Sequence, residues 1–253
     1  MHILITNDDG VQAPGLLALA QEMRKLGKVT VFAPDKNWSA SGHVKTMTRP
    51  LRVRETTLAD GSPAFTSDGA PSDCVALPLL GLVEEKIDLV VSGINPNPNI
   101  GHDVTYSGTV TAAMEAAIAG LPGIAVSLAS PNYSDALDYR TAAIVGRRVA
   151  EQVIKNGFPE DVLLNVNVPY LKEDELKGYT ITRQGLRVYR DALDERIDPR
   201  GKPYYWIGGE APTGVDEPGT DYGALQAGYV SITPLQLDLT AREAMDTLKS
   251  WRF

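Results

Sequence analysis

The chain has 253 residues, 43% of them hydrophobic and 22% charged, which is enough apolar material for one large globular domain or a domain with an elaboration. Its formal net charge of -8 argues against a binder of duplex nucleic acid, which needs Lys and Arg against phosphates, but leaves room for a small anionic ligand at a local site. A single cysteine, Cys74, rules out an internal disulfide and fits a reducing compartment; with no leader-like basic and apolar start and no run near ~18 unbroken apolar residues, the expectation is a cytoplasmic protein with no membrane span.

Residues 2–6 (HILIT) read as a short buried strand, and 16–26 (LLALAQEMRKL) as a helix stopped at Gly27. Residues 29–33 (VTVFA) form a second strand, so the first ~30 residues make a strand–helix–strand unit of the kind that builds parallel sheets. The alternation continues with a helix over 74–83, a strand over 88–94 and a helix over 107–121, whose Val110, Met114, Ala117, Ile118 and Leu121 share one face. A strand over 123–129, a helix over 136–157 and a strand over 163–169 complete an α/β core of residues 1–169, doubly wound around a mostly parallel, Rossmann-like sheet.

After Pro169 the pattern changes. Residues 179–189 and 204–209 read as strands of an antiparallel kind, separated by turn-rich 198–203 and followed by turn-rich 216–223. Residues 170–225 are therefore read as an arm on the core. The remainder, 226–253, supplies a returning core strand (228–235) and a terminal amphipathic helix (239–253). Tyr204, Tyr205 and Trp206 in the arm need a surface to pack against, such as a second subunit.

In an open α/β sheet, ligands bind beyond the carboxyl ends of the strands. The first strand leads into Asn7, Asp8, Asp9 and Gly10, the second into Asp35, Asn37 and Ser39, and the strand at 88–94 into Asn95, Asn97 and Asn99. These are hard oxygen donors, suited to Mg²⁺, Mn²⁺ or Ca²⁺ rather than to structural zinc. A divalent cation would also offset the repulsion between adjacent Asp8 and Asp9. The bland alternative for NDDG is a capping turn before a helix.

The helix over 107–121 opens with Ser107, Gly108 and Thr109, an N-terminus whose unpaired amides suit a phosphate; an ordinary cap is the alternative. Asp103 is a candidate general acid or base, or a plain loop carboxylate. His2, His43 and His102 are scattered, Cys74 falls on an apolar helix face, and KEDELK (172–177) reads as a solvated run. There is no GxxxxGK and no GxGxxG after the first strand, which disfavours P-loop and dinucleotide binding. The contiguous acidic pair also lacks the Asp-x-Asp spacing of aspartyl-phosphate phosphatases.

Taken together, ITNDDG, PDKNWSASGH, SGIN followed by GHDVTYSGTVTAAMEA, NVNVP, DPRGKPYYWIGG and GTDYGAL followed by GYVSITPLQLDLT resemble, nearly end to end, the SurE (survival protein E) nucleotidase family. The resemblance implies a metal-dependent phosphatase acting on nucleoside 5′- and 3′-monophosphates, and in some members on short polyphosphate. It implies one divalent cation per subunit (Mg²⁺ or Mn²⁺) held by Asp8, Asp9, Ser39 and Asn95. It places the phosphate side at Ser107, Gly108 and Thr109; by their positions at the strand ends, Asn95 and Asn99 are read as further substrate-binding residues, and Asp8, Asp9 and Asp103 as the catalytic candidates. A homodimer with the C-terminal arm and helix exchanged is also implied, with pairing of dimers into a tetramer left open. Asn97 stands where the family usually has glycine; because Asn tolerates φ > 0, the loop is expected to keep its course, stiffened by Pro96 and Pro98.

Two rivals from other classes remain at this level. A signalling receiver also places an acidic pair after its first strand, but its phosphorylatable Asp would stand where this chain has Asn95. A nucleotide-sugar transferase would need a second nucleotide-binding domain, for which 253 residues leave no room.

Overall fold

A strand covered on both faces has no solvent side to alternate with, which is why its sequence is an unbroken apolar run. The computed structural model, which describes residues 1–130 and 137–252, shows this for β1 (His2–Thr6), where every residue is buried. Proline in the first turn starts α1 (Pro14–Met23), and β2 (Lys28–Pro34) follows. Next come β3 (Val53–Thr57), β4 (Pro63–Ser67), α2 (Pro71–Leu77) and β5 (Leu89–Asn95). A 3₁₀ turn (Gly101–Thr105) leads into α3 (Gly108–Ile118), β6 (Gly123–Ala129), α4 (Arg140–Asn156) and β7 (Val162–Pro169). The remaining elements are β8 (Tyr179–Ile181), β9 (Arg187–Ile197), β10 (Pro203–Gly214), α5 (Asp221–Gln226), β11 (Val230–Gln236) and α6 (Arg242–Lys249).

The nine-stranded sheet runs β3-β4-β2-β1-β5-β6-β7-β11-β8, with β9 and β10 forming a separate antiparallel ribbon. The run from β4 to β7 is parallel, β3 and β11 are antiparallel to their neighbours β4 and β7, and β8 is parallel to β11. Helices cover both faces. Ile3 and Ile5 point into a core shared with Leu16 and Leu19 of α1 and Val145 and Val149 of α4. Leu4, between them, points the other way to Cys74 and Val75 of α2 and Ala112 and Ala116 of α3. The chain winds from β1 out to β2, then returns to place β5 on the other flank of β1. That reversal is a topological switch point, and it opens a crevice beyond the tips of β1 and β5.

Several elements differ from the sequence reading. The β3–β4 hairpin escapes it because β3, the edge strand, is largely exposed and polar, so it carries no apolar signal. β8 joins the main sheet, so only the ribbon beginning at Arg187 stands apart from it. The turn-rich 216–223 contains the start of α5, a six-residue helix capped by Thr220, whose Oγ1 accepts from Gly223 N at 3.0 Å. α4 begins at Arg140, with residue 136 of the expected span outside the described residues; likewise 253 of the terminal span. On α3, Ile118 is exposed, and the close packing falls to Val110, Ala112, Ala113 and Ala116. Among the described residues no helix is long and apolar enough to cross a membrane.

Candidate metal and phosphate site

Beyond β1 the chain turns back on itself at Asn7. This fully buried side chain accepts from Gly10 N (3.2 Å) and donates to Gly10 O (3.0 Å), with Gly10 at φ +104. This Asx-type closure displays Asp8 and Asp9 at the strand tip. The loop after β2 is drawn to the same place. Trp38 N donates to Asp8 O (2.7 Å), Asn37 Nδ2 reaches Asp9 Oδ1 (3.4 Å), and Asn37 Oδ1 accepts from Ser39 N (2.6 Å).

The third contributor is β5. Its pairing with β6 shifts between Gly93 and Asn95. Gly93 has φ +135, and a Cβ there would lie 2.3 Å from Val126 O, so only glycine fits. Asn95 Nδ2 donates to Asn97 O (2.6 Å), which leaves Asn95 Oδ1 as its oxygen donor for a cation. Among the described residues the only non-glycine positions with φ > 0 are Ala40 and Asp161, so Asn97 holds its place without the left-handed geometry expected of it. The loop is pinned from β7. Asn165 Nδ2 and Asn167 Nδ2 donate to Asn99 O (2.7 and 3.0 Å), and Asn167 Oδ1 accepts from Asn99 N (2.8 Å). Asn99 Nδ2 is engaged by Ser127 Oγ at 2.8 Å. The NVN of β7 is thus a clamp on the loop after β5.

These tips open on one cavity of about 1100 Å³. Asp8, Asp9, Ser39, Asn95, Asn99, Asp103 and Ser107 all line it. Gly108 and Thr109 are not among its lining residues. Thr109 Oγ1 donates to Asp8 Oδ1 (2.5 Å), and the Gly108 and Thr109 amides also face that carboxylate. The start of α3 serves Asp8 rather than forming an open cradle, and Ser107, whose Oγ accepts from Val110 N (3.1 Å), is the member that meets the cavity.

Asp8 is 3% exposed, and burial drives its pKa up despite the Thr109 and amide hydrogen bonds. Asp9 is pushed up to about 7, first by burial and then by the charge of Asp8. No basic side chain among the described residues figures in either shift. Two half-starved carboxylates with a hydroxyl and an amide oxygen fit a hard divalent cation. The described residues hold no group of three His, Cys, Asp or Glu side chains set for a metal, so this set depends on Ser39 and Asn95.

Asp103 sits in the 3₁₀ turn, with Oδ2 ion-paired to Arg187 Nε (2.8 Å) and Oδ1 accepting from Tyr189 Oη (2.5 Å). Burial and Asp103 together raise the Tyr189 phenol well above its usual value. Arg187 also lines the cavity and belongs to β9; nothing in its local sequence marks it. Asp221, fully buried, accepts from Gly101 N and Gly185 N (both 2.8 Å), tying the Asp103 turn to α5. The histidines lie elsewhere: His43 pairs with Glu115 (3.2 Å), His2 with Thr30 (2.8 Å), and His102 is exposed.

The fold and this crevice define a doubly wound α/β protein with its ligand site at the switch point, built from oxygen donors. The sequence profile of the family described as Survival protein SurE matches residues 3–191. A relative from Chloroflexus aggregans named 5′-nucleotidase SurE is 50% identical over 253 residues, all of both chains. Another of that name from Herpetosiphon aurantiacus is 53% identical over 240 residues, 95% of this chain and 94% of its own. The crystal structure of the SurE protein from Aquifex aeolicus superposes with a TM-score of 0.83 at 44% identity, covering 98% of each chain. The chain belongs to the SurE family.

Proposed function

We propose that this protein is a 5′-nucleotidase, a phosphomonoester hydrolase that uses one divalent cation per subunit, Mg²⁺ or Mn²⁺, with Ca²⁺ an alternative occupant. The relatives' shared name supports the activity. The observation that carries the mechanism is the pair of carboxylates, buried Asp8 and partly buried Asp9, which find no basic partner among the described residues and share one cavity with Ser39 and Asn95. In this reading Asp8, Asp9, Ser39 and Asn95 hold the cation. When bound, such a cation neutralises phosphate charge and acidifies an attacking water.

The chain's own groups do the rest. The amides and hydroxyl at the start of α3 aim Asp8 and partly offset the burial that disfavours its charge. Ser107 donates to a phosphate oxygen from the cavity wall. Asn99, with its own amide engaged, acts through the loop it anchors. Asp103, held at both oxygens by Arg187 and Tyr189, accepts a proton from the attacking water. Nucleoside 3′-monophosphates and short polyphosphate present the same terminal group and are the further substrates of this reading.

The same reading includes a cytoplasmic homodimer, with dimers able to pair. The β9–β10 ribbon exposes Leu193, Ile197, Tyr205, Trp206 and Ile207, and α6 exposes Met245 and Leu248. Apolar surface of that extent on a two-stranded ribbon calls for a covering partner.

The test is phosphate release from a panel of nucleoside monophosphates with Mg²⁺, Mn²⁺ or a chelator. Cation-dependent turnover, lost in Asp8→Asn combined with Ser39→Ala, is the expected result. Undiminished turnover in the chelator, or in that double variant, would refute it.

A further inference from the structure

The cavity is far larger than a phosphate and an ion require, and its lining changes character along its length. One end is the oxygen-rich set at the tips of β1, β2 and β5. The other lies beyond β7, where Tyr170 and Leu171 line it; Tyr222 and Leu225 of α5 and Gly209–Pro212 of the ribbon also contribute to the lining.

β7 stands three places from β1 in the sheet. At about 4.8 Å per strand spacing, the two tips are about 14 Å apart. That is the reach of a phosphate, a ribose and a base laid end to end.

Tyr170 is fixed for such a role. Leu171 N donates to Pro169 O at 2.8 Å, closing a three-residue turn centred on Tyr170. At the other end of the side chain, Tyr170 Oη accepts from Asp138 N at 3.2 Å. The ring is held at backbone and hydroxyl, yet remains 38% exposed. An aromatic face that is anchored and left open to a cavity has already lost the rotamer freedom that ligand binding would otherwise cost.

We infer that the β7 end of the cavity is the nucleoside subsite, with Tyr170 as the plate on which the base stacks and Leu171, Tyr222 and Leu225 as its apolar surround. The inference rests on the nucleotidase reading and specifies how that site takes its substrate. Stacking accepts any base, because each presents a π-face. The subsite therefore separates nucleotides from simple alkyl phosphates more strongly than it separates one base from another.

The experiment compares kcat/KM for adenosine 5′-monophosphate and for glycerol phosphate, which carries the same reacting group without a base, using the full chain with Mn²⁺. The wild type should favour the nucleotide by tenfold or more. Tyr170→Ala should cut that ratio by about tenfold, chiefly through the nucleotide's KM, and Tyr170→Phe should restore most of it, since the ring face survives. An unchanged ratio in Tyr170→Ala, or an equal fall for both substrates, overturns the subsite and leaves the hydrolase reading standing. A wild type that hydrolyses neither compound removes both. Should Tyr170→Ala fail to fold, inhibition of wild-type glycerol phosphate hydrolysis by adenosine decides: competitive inhibition supports the subsite, and its absence overturns it.

Discussion

Replacing Asp9 with Asn tests the electrostatic core of the site, because it separates the cost of the acidic pair from its use. In the metal-free protein Asp9 is raised from 3.8 to about 7 by burial and by Asp8. Each pKa unit is about 1.4 kcal/mol, so the charged pair costs the fold at most about 4 kcal/mol above neutrality. The folded state binds a proton at Asp9 more tightly than the unfolded chain does. Stability contributed by that proton is therefore complete below pH ~4 and lost as the pH rises through about 7. Metal-free wild type should melt progressively lower between pH 5 and pH 8. Asp9→Asn removes the Asp9 share of this slope, the raised Asp8 keeping its own, and at pH 8 without metal it should melt up to about 8–16 °C above wild type, taking about 2–4 °C per kcal/mol for a chain of this size. Added Mn²⁺ should reverse the order. At 100 times its dissociation constant it contributes about 2.7 kcal/mol to wild type and much less to a variant lacking one carboxylate. Thermal denaturation over pH 5–8, with Mn²⁺ and with chelator, reads all of this. Asp9→Asn melting no higher than wild type at pH 8 without metal, or gaining as much from Mn²⁺, would refute the argument.

Asp221→Ala leaves the Gly101, Gly185 and Tyr222 N–H groups without their acceptor. At about 1 kcal/mol or more per buried donor the loss is about 3 kcal/mol, a fall in Tm of roughly 6–12 °C by calorimetry. Gly108→Ala places a Cβ 2.6 Å from Asp8 Cβ, so one must move. A displaced carboxylate should lower kcat/KM by about 100-fold in a phosphate-release assay while the circular dichroism stays native. Trp206→Asp with Ile207→Asp charges the exposed ribbon; sedimentation velocity should show a dimer for the wild type, as proposed, and a monomer for the variant, and a monomeric wild type would refute the covering partner.

Local chemistry written in the chain decided much of this protein. HILIT, VTVFA and DLVVSGI are apolar on both faces, so burial between helix layers follows from composition alone, and with it the strand tips where Asp8, Asp9, Ser39 and Asn95 stand. Other features arise only when distant segments meet. Asn165 and Asn167 look like plain strand residues until the fold sets them against Asn99, 66 and 68 residues earlier. The amides of Gly108 and Thr109 look free for phosphate until the fold brings Asp8 to them. Arg187 and Tyr189 lie on the arm strand β9 and Asp221 opens α5, and only the tertiary fold brings all three to the turn that holds Gly101 and Asp103. A residue's burial pattern follows from its neighbours in sequence, but its hydrogen-bond partner is chosen by tertiary contact, across separations that no local period encodes.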